Sequence, residues 1–149
     1  MKNISFLMLF CCFSASLFAQ NMQREQIDKT IRAYFEGYMT GNVEKLAFAF
    51  DTTSANLYAT KTGEDKPVVI AHKFGEVVKR WVKNVQNKPY TEEDIKQSYY
   101  KILFLDVSDD KAAIAKIEIK LGQKLYVDYL SLYKLGEHWK IVSKIFVQN

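Results

Sequence analysis

Hydrophobic positions follow two periods along the chain, a helical one in the first two thirds and a strand-like one in the last third. Between Arg24 and Gly41 the apolar residues Ile27, Ile31, Tyr34, Phe35, Tyr38 and Met39 recur at helical spacing, and Arg24, Glu25, Asp28, Lys29, Arg32 and Glu36 fall on the opposite side. This pattern predicts an amphipathic helix that stops at Gly41. Asn42 then suits the cap of a second short helix in which Val43, Leu46, Ala47 and Phe50 face one way, ended by Asp51-Thr52-Thr53-Ser54. Asn56 to Thr60 reads as a strand, Thr62 to Pro67 as a turn and Val68 to Ile70 as a second strand, together a hairpin. Phe74, Val77, Val78, Trp81, Val82 and Val85 define a third helix from about His72 to Val85. The stretch from Gln86 to Gln97, containing Pro89, reads as a polar connection.

Four extended segments follow, at Ser98–Val107, Ala112–Leu121, Lys124–Leu135 and His138–Val147, separated by the tight turns Ser108-Asp109-Asp110, Gly122-Gln123 and Gly136-Glu137. Such short connections predict an antiparallel meander, and helices followed by a long sheet make an α+β domain. In the second segment Ala113, Ala115, Ile117 and Ile119 share one face, expected to meet the helices. The same reading turns Val127, Tyr129, Ser131 and Tyr133 inward, and likewise Trp139, Ile141, Ser143 and Ile145. It leaves Leu130, Leu132, Val142 and Phe146 outside among lysines, an apolar strip of the kind that marks an association surface. A homodimer through the sheet is the expectation, since most soluble oligomers are symmetric pairs.

Composition narrows the class. Across 149 residues, 48% hydrophobic content excludes the signature of disorder and provides for one packed core. The first twenty residues have the three parts of a secretory signal: Lys2, an apolar run from Ile4 to Phe13, and Ser14-Ala15-Ser16-Leu17-Phe18-Ala19-Gln20 with cleavage after Ala19 or Gln20. The run falls short of the roughly 20 apolar residues of a membrane span. The expected organisation is therefore a signal at 1–20 and a single domain at 21–149, exported to a periplasm or beyond the cell, with no stable membrane insertion after cleavage. Both cysteines, Cys11 and Cys12, lie in the signal, so the mature domain has no thiol for disulfides, nucleophilic chemistry or metal. The net charge of +4 comes from lysines interspersed with acids, which argues against a nucleic-acid partner.

The order of elements and several phrases resemble the nuclear transport factor 2-like superfamily, and within it the exported families called SnoaL-like and lumazine-binding. The resemblance covers nearly all of the chain after the signal. It rests on Ile31-Arg32-Ala33-Tyr34-Phe35-Glu36-Gly37-Tyr38 followed by Gly41-Asn42, on Ala55-Asn56-Leu57-Tyr58, on Asp128-Tyr129-Leu130-Ser131-Leu132, and on Gly136-Glu137-His138-Trp139-Lys140-Ile141-Val142. It implies a cone-shaped, cystatin-like fold in which three N-terminal helices pack on a bent antiparallel sheet around a cavity. The superfamily includes isomerases, dehydratases and binding proteins, so the fold does not select a function.

No residue reads as catalytic or metal-binding, and no cofactor is indicated. His72 can cap the third helix or line a cavity mouth, and His138 lies beside a solvated turn. Asp128 is placed by parity on the outer face in a cross-strand ion pair with Lys134, and Asp106 at the end of its strand. Candidates to line a ligand cavity are Tyr34, Tyr38, Tyr58, Trp81, Tyr129, Ser131 and Ser143, which offer aromatic walls with a few hydroxyls. The leading expectation is a non-enzymatic exported domain that holds a small apolar or aromatic molecule. The alternatives are an isomerase-like or dehydratase-like enzyme, which requires an inward Asp or Glu beside a Tyr, and a structural dimer with a filled cone.

Overall fold

The computed structural model describes the backbone of residues 4–62 and 66–148, and the side chains of those from residue 20 onward except Thr62. The expected signal at 1–20 lies outside the described side chains, Gln20 apart, and the centre of the turn at 62–67 lies outside the described residues. In chain order the elements are α1 (Ile4–Thr40), α2 (Val43–Ala49), β1 (Asn56–Thr62), β2 (Pro67–Lys73), α3 (Phe74–Asn87), α4 (Glu92–Gln97), β3 (Tyr99–Ser108), β4 (Ala112–Leu121), β5 (Lys124–Leu135) and β6 (His138–Gln148). Gly41 ends α1 with φ +66°, a conformation that costs glycine nothing, and the Asn42 side chain accepts from the Lys45 N–H at 2.9 Å to start α2.

The six strands form one mixed sheet in the order β2-β1-β6-β5-β4-β3. Three consecutive antiparallel pairings make the expected meander, and β1 and β2 make the expected hairpin, also antiparallel. The hairpin joins the meander through a parallel β1–β6 pairing, so the sheet is not antiparallel throughout. One feature absent from the sequence reading is α4, inside the segment read as a polar connection. Its signal is Thr91-x-x-Asp94, a reciprocal cap in which the Thr91 hydroxyl accepts from the Asp94 N–H and the Asp94 carboxylate accepts from the Thr91 N–H.

The core lies between the helices and the concave face of the sheet. Ile27, Ile31, Leu46 and Phe50 from the helical side meet Ile117, Ile119, Leu130, Leu132, Trp139 and Ile141 from the sheet, all 2% exposed or less. Burying a side chain of this size stabilises by about 1.5–3 kcal/mol. The buried Thr30 hydroxyl donates to the Trp139 carbonyl at 3.0 Å and ties α1 to β6.

Strand faces follow the expected parity on β4, where Ala113, Ala115, Ile117 and Ile119 are buried. On β5 the parity is the reverse of that expected: Tyr126, Asp128, Leu130 and Leu132 point inward, while Tyr129 and Tyr133 are exposed. On β6 Trp139 and Ile141 are inward as expected, but a bulge then intervenes. Leu132 pairs with Ile141 and Ser131 with Ser143, which leaves Val142 without a partner. Beyond it the faces exchange relative to simple alternation, so Lys144 is buried and Ile145 and Val147 are exposed. The strip expected outside is therefore not there. Leu130 and Leu132 belong to the core, and the outer face carries Ile114, Tyr129, Tyr133, Ile145 and Val147 instead.

Candidate functional site

The two misplaced residues, Asp128 and Lys144, meet in the interior. Asp128 pairs in register with Phe146 and Lys144 with Leu130, so the two side chains are diagonal neighbours on the concave face. Lys144 Nζ donates to Asp128 Oδ2 at 2.7 Å, with the residues 5% and 0% exposed. Tyr34, from the buried stripe of α1, completes the cluster. Its hydroxyl donates to the same Asp128 Oδ2 at 2.8 Å and accepts from Lys144 Nζ. The expected Asp128–Lys134 pair does not form, and Lys134 instead pairs with Asp110 at 2.6 Å. The remaining oxygen, Asp128 Oδ1, is buried without a hydrogen-bond partner among the described residues.

Electrostatics and aromatic packing act together on Lys144. Its ammonium lies 4.8 Å from the ring centroid of Tyr34, 5.0 Å from Phe146 and 5.6 Å from Trp81, within cation–π range of all three. Burial pushes the Lys144 pKa below its ordinary value, and the attraction and hydrogen bond of Asp128 oppose that shift without cancelling it. Burial, reinforced by the Asp128 charge, pushes the Tyr34 hydroxyl well above its ordinary value, so this phenol stays protonated.

Lys144 and Tyr34 form part of the wall of a cavity of about 230 Å³ between α1, α3 and the concave sheet. Tyr38, Trp81, Tyr126 and Phe146 supply aromatic surface, Leu57, Val77, Ile119 and Leu121 aliphatic surface, and His72, Arg80 and Gln148 polar groups. Among the described residues no acidic side chain lines it, and Asp128 is bonded to Lys144 and Tyr34 without reaching the wall itself. Trp81 stacks on Tyr34 at 6.0 Å and 27° and meets Tyr38 edge-on at 4.8 Å, giving a continuous aromatic side. A larger recess of about 840 Å³ on the outside of α1 and α2 is lined mainly by charged side chains such as Glu25, Asp28, Lys29 and Arg32. It lacks the buried polar groups that fix a ligand's orientation, so the cone is the candidate site.

Of the residues proposed from the sequence to line a cavity, the fold brings Tyr34, Tyr38 and Trp81 together on this wall. Tyr58, Tyr129, Ser131 and Ser143 are elsewhere. Tyr58 pairs with Ile145 and Ile145 with Tyr129 along one row of the convex face, and Ser131 pairs with Ser143 in another. The residues missed are Lys144, Asp128 and Tyr126. For Tyr126 and Asp128 a signal existed: the two-residue turn at Gly122-Gln123 sets Ile119 opposite Tyr126 and Ile117 opposite Asp128, and cross-strand partners share a face. For Lys144 none existed, because the bulge at Val142 has no mark in the local pattern.

An α+β cone with helices on a bent mixed sheet and a cavity at its core is the nuclear transport factor 2-like, or cystatin-like, class. Within that class the family described as "Putative lumazine-binding" matches residues 22–147, and the chain belongs to it. Solved structures share the fold. An NTF2-like protein of unknown function from Shewanella baltica superposes with a TM-score of 0.66 at 18% identity, covering 86% of this chain and 94% of the other. Another, from Methylobacillus flagellatus, gives 0.61 at 21% identity, with 84% and 90% covered. A domain of unknown function with a cystatin-like fold from Nostoc punctiforme gives 0.60 at 11% identity, with 86% and 78% covered. No curated protein matches the sequence. Among the described residues no helix is long and apolar enough to cross a membrane, and no cluster of His, Cys, Asp and Glu is arranged to hold a metal ion.

Proposed function

We propose that the cone binds a small, flat molecule bearing a hydrogen-bond acceptor, its ring against Tyr34, Tyr38 and Trp81 and its acceptor atom toward Lys144. The observation that carries this reading is the Lys144 ammonium on the wall of an aromatic cavity, with two of its three N–H groups engaged by Asp128 and Tyr34. A donor held so firmly in an apolar setting orients a ligand and discriminates against one without an acceptor. The family description names lumazine, a flat bicycle with carbonyl acceptors, which is compatible with this chemistry, although no side chain of the cavity singles out a pteridine.

Binding without turnover is the preferred form of this reading. A general base needs a lone pair within reach of the substrate, and Asp128 does not line the cavity, its Oδ2 accepting from Lys144 and Tyr34 instead. The enzymatic alternative has one observation in its favour: Asp128 is inward and beside a tyrosine, the arrangement an isomerase or dehydratase of this fold requires. Further parts of the proposal are export by the signal at residues 1–20, and a homodimer through the convex face, where Ile114, Tyr129, Ile145 and Val147 are each about half exposed.

Native mass spectrometry of the protein purified from its own host tests all of these together. The expected spectrum is a dimer of chains beginning at Gln20 or Asn21, carrying a small-molecule mass that denaturation releases unchanged. A bare subunit mass, with no thermal shift on adding acceptor-bearing ring compounds including lumazine, overturns the binding reading. Release of a chemically converted compound moves the assignment to the enzyme.

A further inference from the structure

A buried lysine on the wall of a small-molecule cavity can do more than donate a hydrogen bond. We propose that Lys144 captures an aldehyde or ketone in the cone as an imine, with Asp128 as the counter-ion and Tyr34 as the proton carrier. This rests on the reading of the cone as a ligand site and specifies the ligand's reactive group. Three features of the geometry support it. Among the described residues Lys144 is the one lysine lining the cavity, so a carbonyl accepting its free N–H has its carbon beside Nζ. Asp128 Oδ2, 2.7 Å from Nζ, is placed to take the proton that the ammonium must lose before it can attack. The Tyr34 hydroxyl touches both Nζ and Oδ2, and Tyr34 is itself a residue of the cavity wall, so it connects the carboxylate to the reacting oxygen.

The step balances within the site. The ammonium gives a proton to Asp128, and the nitrogen lone pair forms a bond to the carbonyl carbon while the carbonyl π pair moves to oxygen. Asp128 passes that proton through Tyr34 to the oxygen, the nitrogen of the resulting carbinolamine gives a second proton to Asp128, and its delivery along the same path lets the hydroxyl leave as water as the C=N bond forms. The protonated imine keeps the positive charge beside the Asp128 carboxylate, so the sum is an ammonium and a carbonyl giving an iminium and water, with no oxidant or further reactant. The surroundings favour the exchange. Burial lowers the Lys144 pKa and raises the share of free amine, as in lysines that form Schiff bases. The faces of Tyr34, Phe146 and Trp81 then stabilise the cationic product.

Benzaldehyde with sodium cyanoborohydride is a suitable probe on the intact protein, read by peptide mass mapping. Exposed Lys101 and Lys111 serve as references within the same molecule. Benzylation of Lys144 is expected at least about tenfold faster than at the references, as for an activated amine. The reaction should saturate with benzaldehyde and be suppressed by benzamide, which fits the same space and forms no imine. Lys144→Arg keeps the charge and should lose this adduct alone. Benzamide binding is read separately, from NMR shifts of the Tyr34, Tyr38 and Trp81 resonances. Binding of benzamide with Lys144 modified no faster than Lys101 and Lys111 overturns imine capture and leaves the cone as a binding site. Absence of both overturns the two readings together.

Discussion

At the scale of single residues, the Asp128–Lys144 pair is costly to hold and more costly to break. Each charge has lost its water, and mutual attraction plus the Tyr34 hydroxyl replace that hydration only while all partners are present. Lys144→Met leaves a buried carboxylate with no counter-charge, and the expected loss is about 3–5 kcal/mol in urea unfolding. The double variant Asp128→Leu/Lys144→Met removes both charges and should recover most of that loss. A double-mutant cycle would then show strong coupling. Equal losses in the single and double variants would mean that packing of the lysine stem, and not charge compensation, holds the site together. A pair that contributes little net stability and presents its lysine to a cavity is what a functional role would explain.

At the scale of elements, the helices are set by how closely α1 approaches α2. A Cβ on Gly37 would stand 2.9 Å from Leu46 Cγ and 3.0 Å from the Leu46 backbone nitrogen. Alanine at this position gains about 1 kcal/mol of helix propensity, while overpacking costs about 1–3 kcal/mol. One of the obstructing atoms is backbone and cannot rotate away, so Gly37→Ala should destabilise by up to about 2 kcal/mol net. A thermal melt of the variant checks this, and a rise in Tm would show that the two helices separate freely. The first three helices were legible from local pattern, since periodicity, the Gly41 stop and the Asn42 cap each act within one turn of chain, whereas α4 at Glu92–Gln97 lies in a stretch that reads as a polar connection. The strands were legible in extent, β4 and β5 to the residue, because turn residues bound them. Their faces were less so. β5 is apolar on both sides, since Leu130 and Leu132 fill the core while Tyr129 and Tyr133 cover the convex surface, and alternation then has two solutions.

At the scale of the whole molecule, burying so many phenols makes folding sensitive to alkali. Burial is the largest cause raising the pKa of each of Tyr34, Tyr38, Tyr90 and Tyr126. A phenol with a raised folded pKa binds its proton more tightly when folded. Its contribution is therefore complete below the unfolded value of about 10 and is lost as pH rises through the folded value. Lys144 acts in the opposite sense over a narrower range. Its pKa is lowered by burial, so stability gains as pH rises from the folded value toward the unfolded one. Lys140, also lowered by burial, acts in the same sense as Lys144; four phenols outweigh two ammoniums, and stability should fall steeply above about pH 10. Urea unfolding at pH 8, 9.5 and 11 measures this. A flat profile to pH 11 would show that the phenols titrate freely in the folded state.

By itself the sequence determined every element but α4, their order, the meander and the overall class, because periodicity, caps and tight turns are local and each is enforced within a few residues. It also placed Tyr34, Tyr38 and Trp81 on one wall of the cavity, since they lie on helix stripes whose direction the helical period sets. The tertiary structure alone decided the polar centre. Lys144 reaches the interior only because Val142 bulges out of the β5–β6 ladder, and a bulge is a property of two paired strands and not of either sequence. Asp128 is inward because the register from β4 places it there, against the general expectation that a carboxylate seeks water. Each charge is tolerated inside only because the other is there, and that pairing joins positions sixteen residues apart that no local pattern connects.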